Sequence, residues 1–386
     1  MQKERHMIYF DNAATTMHKP PEVAQAVADA LTHFGGVGRG VHGASLSAGM
    51  AVYEARDTVA GLLGAPSASR VSFTGNVTES LNTALFGLLS PGDHAITTAA
   101  SHNSVLRPLY ALEDRGVQLS IAPIGPDGSL DLDEVEALFQ PNTRVLAVTH
   151  ASNLTGDLYD IDRLAEMAHA HGALVVVDAA QTAGVVPLNA VEQQIDVLCF
   201  TGHKALYGPQ GTGGLIVAEG VEVAPLKVGG SGTHSYDREH PAFMPERLEA
   251  GTINGHGIAG LAAGVAFVQR VGVEVIRAHE DALARRFQQG IASIPGIRVL
   301  GGGTDLGRTG IVALNLGDVD SGQVADALSV DFGIATRAGA HCAPLMHRAL
   351  GTEHQGAVRF SFSWFNTEQE VDQAVAALSR IAADLG

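Results

Sequence analysis

A lysine, Lys204, stands between the apolar run DVLCFTG and the glycine-rich GPQGTGG. An amine there is either a solvated loop group or one held against something anionic or electrophilic. Four other segments pose the same question. VVVDAAQ ends in Asp178 and Gln181. RVLAVTH runs into ASNLTG with Asn153. HAITTAA runs into SHNS with His102. FTGNVTES carries Val77 and Thr78 ahead of a helical pattern. Each residue alone has an ordinary reading: Asp178 in a turn, His102 as a structural imidazole, Thr78 as a helix cap, Lys204 as a surface cation. Five such segments together point to a shared ligand.

The residue types specify that ligand's parts. A helix N-terminus behind a Gly/Asn/Thr loop binds phosphate through backbone N–H groups and the positive end of the dipole. A lysine amine condenses with an aldehyde. An acid beyond a central strand pairs with a protonated ring nitrogen, and an imidazole stacks on a flat ring. Pyridoxal 5'-phosphate asks for all of these, and the acid keeps its ring protonated as an electron sink.

A second set lies near the C-terminus. RAGAHCAPLMH places Cys342 among small residues, with Arg337, His341 and His347 close in sequence. Cationic neighbours make a thiol more acidic than its ordinary value of roughly 8.5 and so more nucleophilic; the alternative is an incidental loop cysteine. The other cysteine, Cys199, sits inside the apolar VLCF and reads as a small buried hydrophobe. Arg359, in AVRFSF, is either a surface residue or a guanidinium for a carboxylate.

Elements that could position these groups are legible from periodicity. KPPEVAQAVADALTHF and SLSAGMAVYEARDTVAGLLG have helical spacing, with proline opening the first, Ser45 capping the second and Gly64 ending it. HAITT, VQLSIAP, RVLAVTH, ALVVVDAA, DVLCFTG and GGLIVAE are short apolar strands. Helical segments such as DIDRLAEMAHAHG lie between several of them. Continuous apolar strands between helices imply an α/β fold with a mostly parallel, doubly covered sheet, whose ligands bind beyond the strands' carboxyl ends. After about Gly251 the pattern shifts to long helices, then to the strands IRVLG, GIVALNLG and AVRFSFSWF, then to a terminal helix. The expected division is a large domain over 15–255 and a smaller α+β domain formed by 1–14 with 256–386.

Composition bounds the rest. The 386 residues carry 24 basic and 41 acidic side chains, a net charge of −17, which argues against general binding to nucleic acid or anionic membranes. The N-terminus lacks the apolar run of a signal peptide, and no apolar stretch is long enough to span a membrane. Two cysteines without a CxxC pattern and 17 histidines without HExxH suggest no disulfide framework and no metal site. The expectation is a cytoplasmic enzyme with reduced thiols. GPQGTGG is no P-loop, because it lacks the following Lys-Ser/Thr and precedes a strand.

VVVDAAQ followed by TGHKALYGPQGTGG resembles the aspartate and lysine signatures of the class V aminotransferase family, pyridoxal-phosphate enzymes of fold type I. The resemblance runs from IYFDNAATT to AVRFSFSWFNTEQEVD, and its later motifs resemble those of cysteine desulfurases and selenocysteine lyases. It implies Lys204 as the Schiff-base lysine, Asp178 at the pyridine nitrogen, Gln181 at the ring's phenolic oxygen with Asn153 close by, and His102 stacked on the ring and moving protons. It implies Thr78, Thr201, His203 and the backbone near Val77 at the phosphate. Thr252, in LEAGTIN, would reach the phosphate of a neighbouring subunit, so a homodimer is expected. Cys342 would take sulfur from a substrate cysteine as a persulfide. Arg359 would hold the substrate carboxylate, with Asn12 and Ala13 of FDNAATT lining the pocket; Arg39 and His42 match a segment near it. The interval from Cys342 to Arg359 resembles the compact-loop branch, in which a sulfur acceptor must approach the pocket. Three reactions stay open: desulfuration of L-cysteine, the same chemistry on L-selenocysteine, and β-elimination from cysteine or cystine.

Overall fold

The structure, a computed structural model, describes residues 7–38 and 40–385; Arg39 and the first six residues of the expected small domain lie outside them. The chain opens with a short strand β1 (Ile8–Tyr9) and two helices, α1 (Pro21–His33) and α2 (Gly43–Leu63). Pro21 opens α1, and Gly64 closes α2 at φ 64°, a left-handed conformation that glycine adopts freely. Ser45 is not the cap of α2. The helix starts two residues earlier, and the Ser45 hydroxyl donates to the Gly36 carbonyl instead.

Strands and helices then alternate: β2 (Val71–Thr74), α3 (Val77–Leu88), β3 (His94–Thr98), α4 (Asn103–Glu113), β4 (Gln118–Ala122), α5 (Leu132–Glu136), β5 (Thr143–Thr149), α6 (Ile161–Ala170), β6 (Leu174–Asp178), β7 (Val197–Thr201) and β8 (Gly213–Val217). They form one seven-stranded sheet in the order β2-β8-β7-β6-β5-β3-β4. Every pairing is parallel except those of β8, which runs antiparallel to both β2 and β7. Helices cover both faces, so β6 and β7 are buried almost throughout. The reversal at β8 follows from the short connection after Lys204: 11 residues from Gly202 to Thr212 leave no room for a helical crossover.

The remaining elements are α7 (Gly255–Val271), α8 (Val273–Ile291), β9 (Ile297–Val299), β10 (Ile311–Leu316), α9 (Ser321–Phe332), β11 (Ile334–Ala335), β12 (Arg337–Gly339), α10 (Pro344–Leu350), β13 (Ala357–Ser361) and α11 (Glu368–Leu385). An antiparallel sheet β12-β13-β10-β9 packs on α8 and α11 around Phe287, Leu314, Phe360 and Leu378. β1 pairs in parallel with β11, and Phe10 joins this second core. Helix α7 instead packs against α1 and α2 and buries Ile258, Leu261 and Val265 in the first core. The chain bends by 81° between α7 and α8, at Gly272. We place the boundary between the two units there. No single helix is long and apolar enough to cross a membrane.

Candidate active site

The site forms where the parallel strands end. Thr74, Gly213 and Thr201 are paired across β2, β8 and β7, so the start of α3 lies level with the end of β7. A Cβ on Gly213 would meet Asn76 Cα and the Phe200 carbonyl, each at 2.8 Å. Glycine there lets the helix N-terminus close on the strand. Asn76, not Thr78, is the cap of α3: its side chain accepts the Glu79 N–H at 3.0 Å. Val77 and Thr78 occupy the first turn, where backbone N–H groups point out of the helix end.

Beside that helix end, Thr201 Oγ1 and His203 Nδ1 are buried with no hydrogen-bond partner among the described residues. Burial, with Lys204 and Lys19 adding positive charge, lowers the His203 pKa to about 4, so its ring is neutral. The Lys204 loop is tight: Gly202 N–H donates to Thr212 O, Gly208 N–H to Gly202 O, and Tyr207 N–H to Lys204 O. The N-terminal segment clamps it from above. The His203 carbonyl accepts from Thr16 N–H, the Thr15 and Thr16 hydroxyls and the Lys19 ammonium. Lys204 is buried. Desolvation lowers its pKa to about 8; Asp178 opposes that shift, while Arg359 and Arg337 add to it.

Asp178 closes β6 and is 3% exposed. It accepts the Ala180 N–H at 2.9 Å, yet burial still raises its carboxyl above the usual range. A cation set against it would restore the carboxylate. Gln181 donates to the Ala13 carbonyl at 3.1 Å, and Asn12, Ala13, Gln181 and Lys204 line one cavity. Asn12 is held in turn by Ser361 O at 2.9 Å and by Asn366.

His102 caps α4. Its Nδ1 accepts the Ser104 N–H at 3.0 Å, which leaves the proton of the neutral ring on Nε2. Burial first, then Lys204, Arg337, Arg359 and Arg107, lower its pKa to about 4. The neighbouring residue, Asn103, donates its N–H to the Cys342 carbonyl at 2.8 Å. The thiol loop is thereby tied to the His102 helix. A second tie is Asn153 Nδ2, which donates to the His341 carbonyl at 2.7 Å. Arg359 completes the web: Nη1 donates to Asn153 O at 2.8 Å and Nη2 to Asp11 at 2.9 Å. Both terminal nitrogens are therefore engaged by the protein, and Nε is the one nitrogen with no partner among the described residues.

His341 and Cys342 have φ of 50° and 56°, left-handed values unusual for residues with a Cβ. Cys342 is partly exposed, whereas Cys199 is buried and burial raises its thiol far above the ordinary value. The histidines near Cys342 are not cations. Burial lowers His341 to about 3 and also lowers His347, leaving Arg337 as the charged member of that group. Their helical and loop burial is set by packing that the sequence spacing does not reveal.

Thr252 stands apart. It is exposed in a groove with Val37, Tyr53, Arg56 and Phe243, away from Lys204 in the same chain. His42 is exposed at the start of α2. Asp11, Ser104 and Lys19 are site residues that the motif reading passed over, although each lies within a stretch it used.

A group carrying phosphate, a ring cation and an aldehyde fits this cradle. Eight buried side-chain polar atoms lack a partner among the described residues, and five belong to Asn153, Thr201, His203, His341 and Arg359. Native structures leave few such atoms unsatisfied, so their concentration around Lys204 marks a ligand position.

Comparison with known proteins agrees. The profile of the aminotransferase class-V family matches residues 8–374. A protein from Mycolicibacterium paratuberculosis described as a probable cysteine desulfurase is 37% identical over 97% of this chain, though the alignment covers only 55% of that longer protein. The cysteine desulfurase of Klebsiella pneumoniae is 35% identical, with 98% of this chain and 94% of that protein covered. The apo structure of a cysteine desulfurase from Thermococcus onnurineus superposes with a TM-score of 0.92 at 34% identity, covering 98% of this chain and 95% of that one.

Proposed function

Because this chain belongs to the class-V aminotransferase family, we propose that it is a pyridoxal-phosphate-dependent cysteine desulfurase, converting L-cysteine to L-alanine and carrying the sulfur on Cys342. One observation carries this reading beyond the family. The Cys342 loop is hydrogen-bonded to the residue after His102 and to Asn153, which also binds Arg359. A nucleophilic thiol is thus attached to both a proton-handling imidazole and a carboxylate-binding guanidinium.

Lys204 would hold the cofactor's aldehyde, Asp178 its ring nitrogen and Gln181 its phenolic oxygen. Thr201, His203 and the first N–H groups of α3 would hold its phosphate, with Thr252 supplied by a second subunit. When bound, the group supplies an electron sink that makes the carbon–sulfur bond labile. The protein's residues do the rest. Lys204, with a pKa of about 8, exists partly as the free amine near neutral pH and can take a proton from the substrate's α-carbon. Arg359 Nε–H and Asn12 fix the substrate in the cleft between the two units. Neutral His102, with its proton on Nε2, would lie against the cofactor's ring. The Cys342 thiolate takes the substrate's sulfur. In sum, a C–S bond and a thiol S–H are lost, an S–S bond and a C–H bond form, sulfur is oxidised and carbon reduced, and no external oxidant enters. A second thiol then discharges the persulfide.

A homodimer is part of this proposal. Leu46, Met50 and Tyr53 form an exposed apolar stripe on α2 beside the groove that holds Thr252, and Phe243 is exposed there too. Such a contiguous patch suits a second copy. The unpaired cysteines suit a reducing compartment, here the cytoplasm. The test is product analysis with L-cysteine and a reducing thiol. Equal alanine and sulfide support the proposal; pyruvate and ammonia overturn it in favour of β-elimination.

A further inference from the structure

The Arg359 side chain is 1% exposed, and the Asp11 side chain paired with it is 21% exposed. Two other arginines form well-buried pairs, and in both the acid is the more deeply held partner. Glu249 takes both terminal nitrogens of Arg56 and the Phe73 N–H. Asp157 takes Arg308 Nε and the Gly302 N–H and is fully buried. The Asp11 carboxylate has one hydrogen bond among the described residues, from Arg359 Nη2 to Oδ1. Backbone contacts fix where Asp11 lies. Asp11 bridges Ser361, the Ser361 N–H donates to Phe10 O at 2.7 Å, and the Ala13 N–H donates to Ser361 Oγ at 2.9 Å. Arg359 stands two residues before Ser361 on β13, so both side chains leave the same face of that strand. The guanidinium is planar, and its Nε–H and one Nη2–H lie along one edge. Nε has no partner among the described residues. A carboxylate that forks onto this edge therefore meets an Nη2 already bonded to Asp11.

We infer that Asp11 is a positioning residue that stands in for the substrate's carboxylate: it holds Arg359 in the empty site and competes with the carboxylate that arrives. The inference rests on the reading of Arg359 as the carboxylate-binding group. A buried guanidinium without an anion is costly, so the empty site needs an acid beside it. Once a substrate carboxylate forks onto Nε and Nη2, two acids face one cation and repel each other. The Asn153 carbonyl, on Nη1, keeps the guanidinium in place through the exchange. Asp11 is the partner that yields, because its side chain reaches solvent and no second donor holds it. The Asp157 and Glu249 carboxylates, each sealed in and held by a backbone N–H as well, cannot yield in this way. Asp11 thereby sets how tightly the site holds any amino acid by its carboxylate.

The experiment uses the full chain loaded with pyridoxal 5'-phosphate and compares wild type with Asp11→Asn, Asp11→Ala, Asp11→Glu and Arg359→Gln. Two quantities are read: KM for L-cysteine, and calorimetric binding of propionate, which has the carboxylate but no amine to react with the cofactor. Asp11→Asn keeps an oxygen for Nη2 and removes the charge. Its KM should fall about tenfold, with kcat changed far less, and propionate should bind about tenfold more tightly. Asp11→Ala removes the acceptor as well, so its KM should lie above that of Asp11→Asn. Asp11→Glu keeps the charge, and its KM should stay at or above wild type; it tests the inference if Asp11→Asn does not fold. Unchanged or weaker propionate binding in Asp11→Asn overturns the inference, as does a KM below wild type in Asp11→Glu. An Asp11→Ala KM equal to that of Asp11→Asn overturns the positioning role. Arg359→Gln should weaken both quantities. If it does and Asp11→Asn stays at wild type, the inference alone fails. If Arg359→Gln leaves both at wild type, the carboxylate reading of Arg359 is refuted, and the inference falls with it.

Discussion

The Lys204 loop and the Cys342 loop are both short turns, held by opposite means. The lysine loop is built from backbone. Strand register fixes both its ends, and glycines allow its close contacts: a Cβ on Gly202 would lie 2.1 Å from Thr212 Oγ1. The thiol loop is held by groups from elsewhere, Asn153 and the Asn103 N–H, and by its own His341 imidazole, whose Nε2 donates to Arg337 O at 3.1 Å. It bends through left-handed His341 and Cys342, each strained by roughly 1–2 kcal/mol. The lysine proposed to hold the cofactor is thus set by the sheet, and the thiol proposed to carry sulfur by tertiary contacts that bridge both units of the chain.

The sharpest test of that division removes one chemical group from each loop. Lys204→Ala should abolish alanine formation, by roughly a thousandfold or more, and eliminate the covalent cofactor chromophore. Cys342→Ala should lose sulfur transfer on the same scale yet keep the chromophore, because no hydrogen bond among the described residues joins it to the lysine loop. Loss of the chromophore in Cys342→Ala would break the comparison. Sustained turnover to pyruvate would instead remove the thiol from the reaction.

Next in size is Arg359→Lys. A lysine keeps one charge but cannot serve Asp11, Asn153 and a carboxylate together. KM for L-cysteine should rise roughly ten- to a hundredfold with kcat less affected. Urea unfolding should show a loss of about 1–3 kcal/mol from the stranded partners. An unchanged KM would mean that the guanidinium serves the fold and not the substrate.

The pH dependence of cofactor capture follows from Lys204. Only the neutral amine condenses with an aldehyde. With a pKa lowered to about 8, the capture rate of the apo protein should climb as pH rises through 8 and level off above it. Arg337 contributes to that lowering, so Arg337→Ala should raise the pKa and move the curve to higher pH. A shift to lower pH, or none, would contradict the role of the positive cluster. Stopped-flow absorbance at a series of pH values measures it.

Most of the cradle was legible because each of its residues follows a strand. Asp178, Thr201 and Lys204 sit at the ends of apolar runs whose period and length announce a buried parallel sheet. The caps were misplaced by small steps, Ser45 for the Gly43 start of α2 and Thr78 for Asn76, since several polar residues near a helix start compete for the same role. Ser104 and Asp11 carry no such signal. A serine two residues after a histidine, or an acid before an asparagine, becomes informative only when the fold turns it onto the His102 ring or Arg359. Nor does spacing reveal that α7 belongs to the first core, because its small and apolar residues would suit either unit.

The smallest predicted effect tests the electrostatics of the thiol loop. His341, adjacent to Cys342, would be an obvious cation for a thiolate, but burial holds its pKa near 3, and Nδ1 has no partner among the described residues. A neutral ring cannot stabilise a thiolate by charge. His341→Asn replaces it with a side chain that tolerates the left-handed backbone, while removing the bond to Arg337 O. Stability should change by less than about 1 kcal/mol, since relieved strain offsets a lost hydrogen bond. The rate of Cys342 alkylation by iodoacetamide should stay close to that of wild type. Arg337→Ala, which removes the one charged neighbour among those three residues, should slow it. If His341→Asn slows it as much, the imidazole is protonated in solution, and the thiol loop, like the lysine loop, is an electrostatic site set by its immediate sequence.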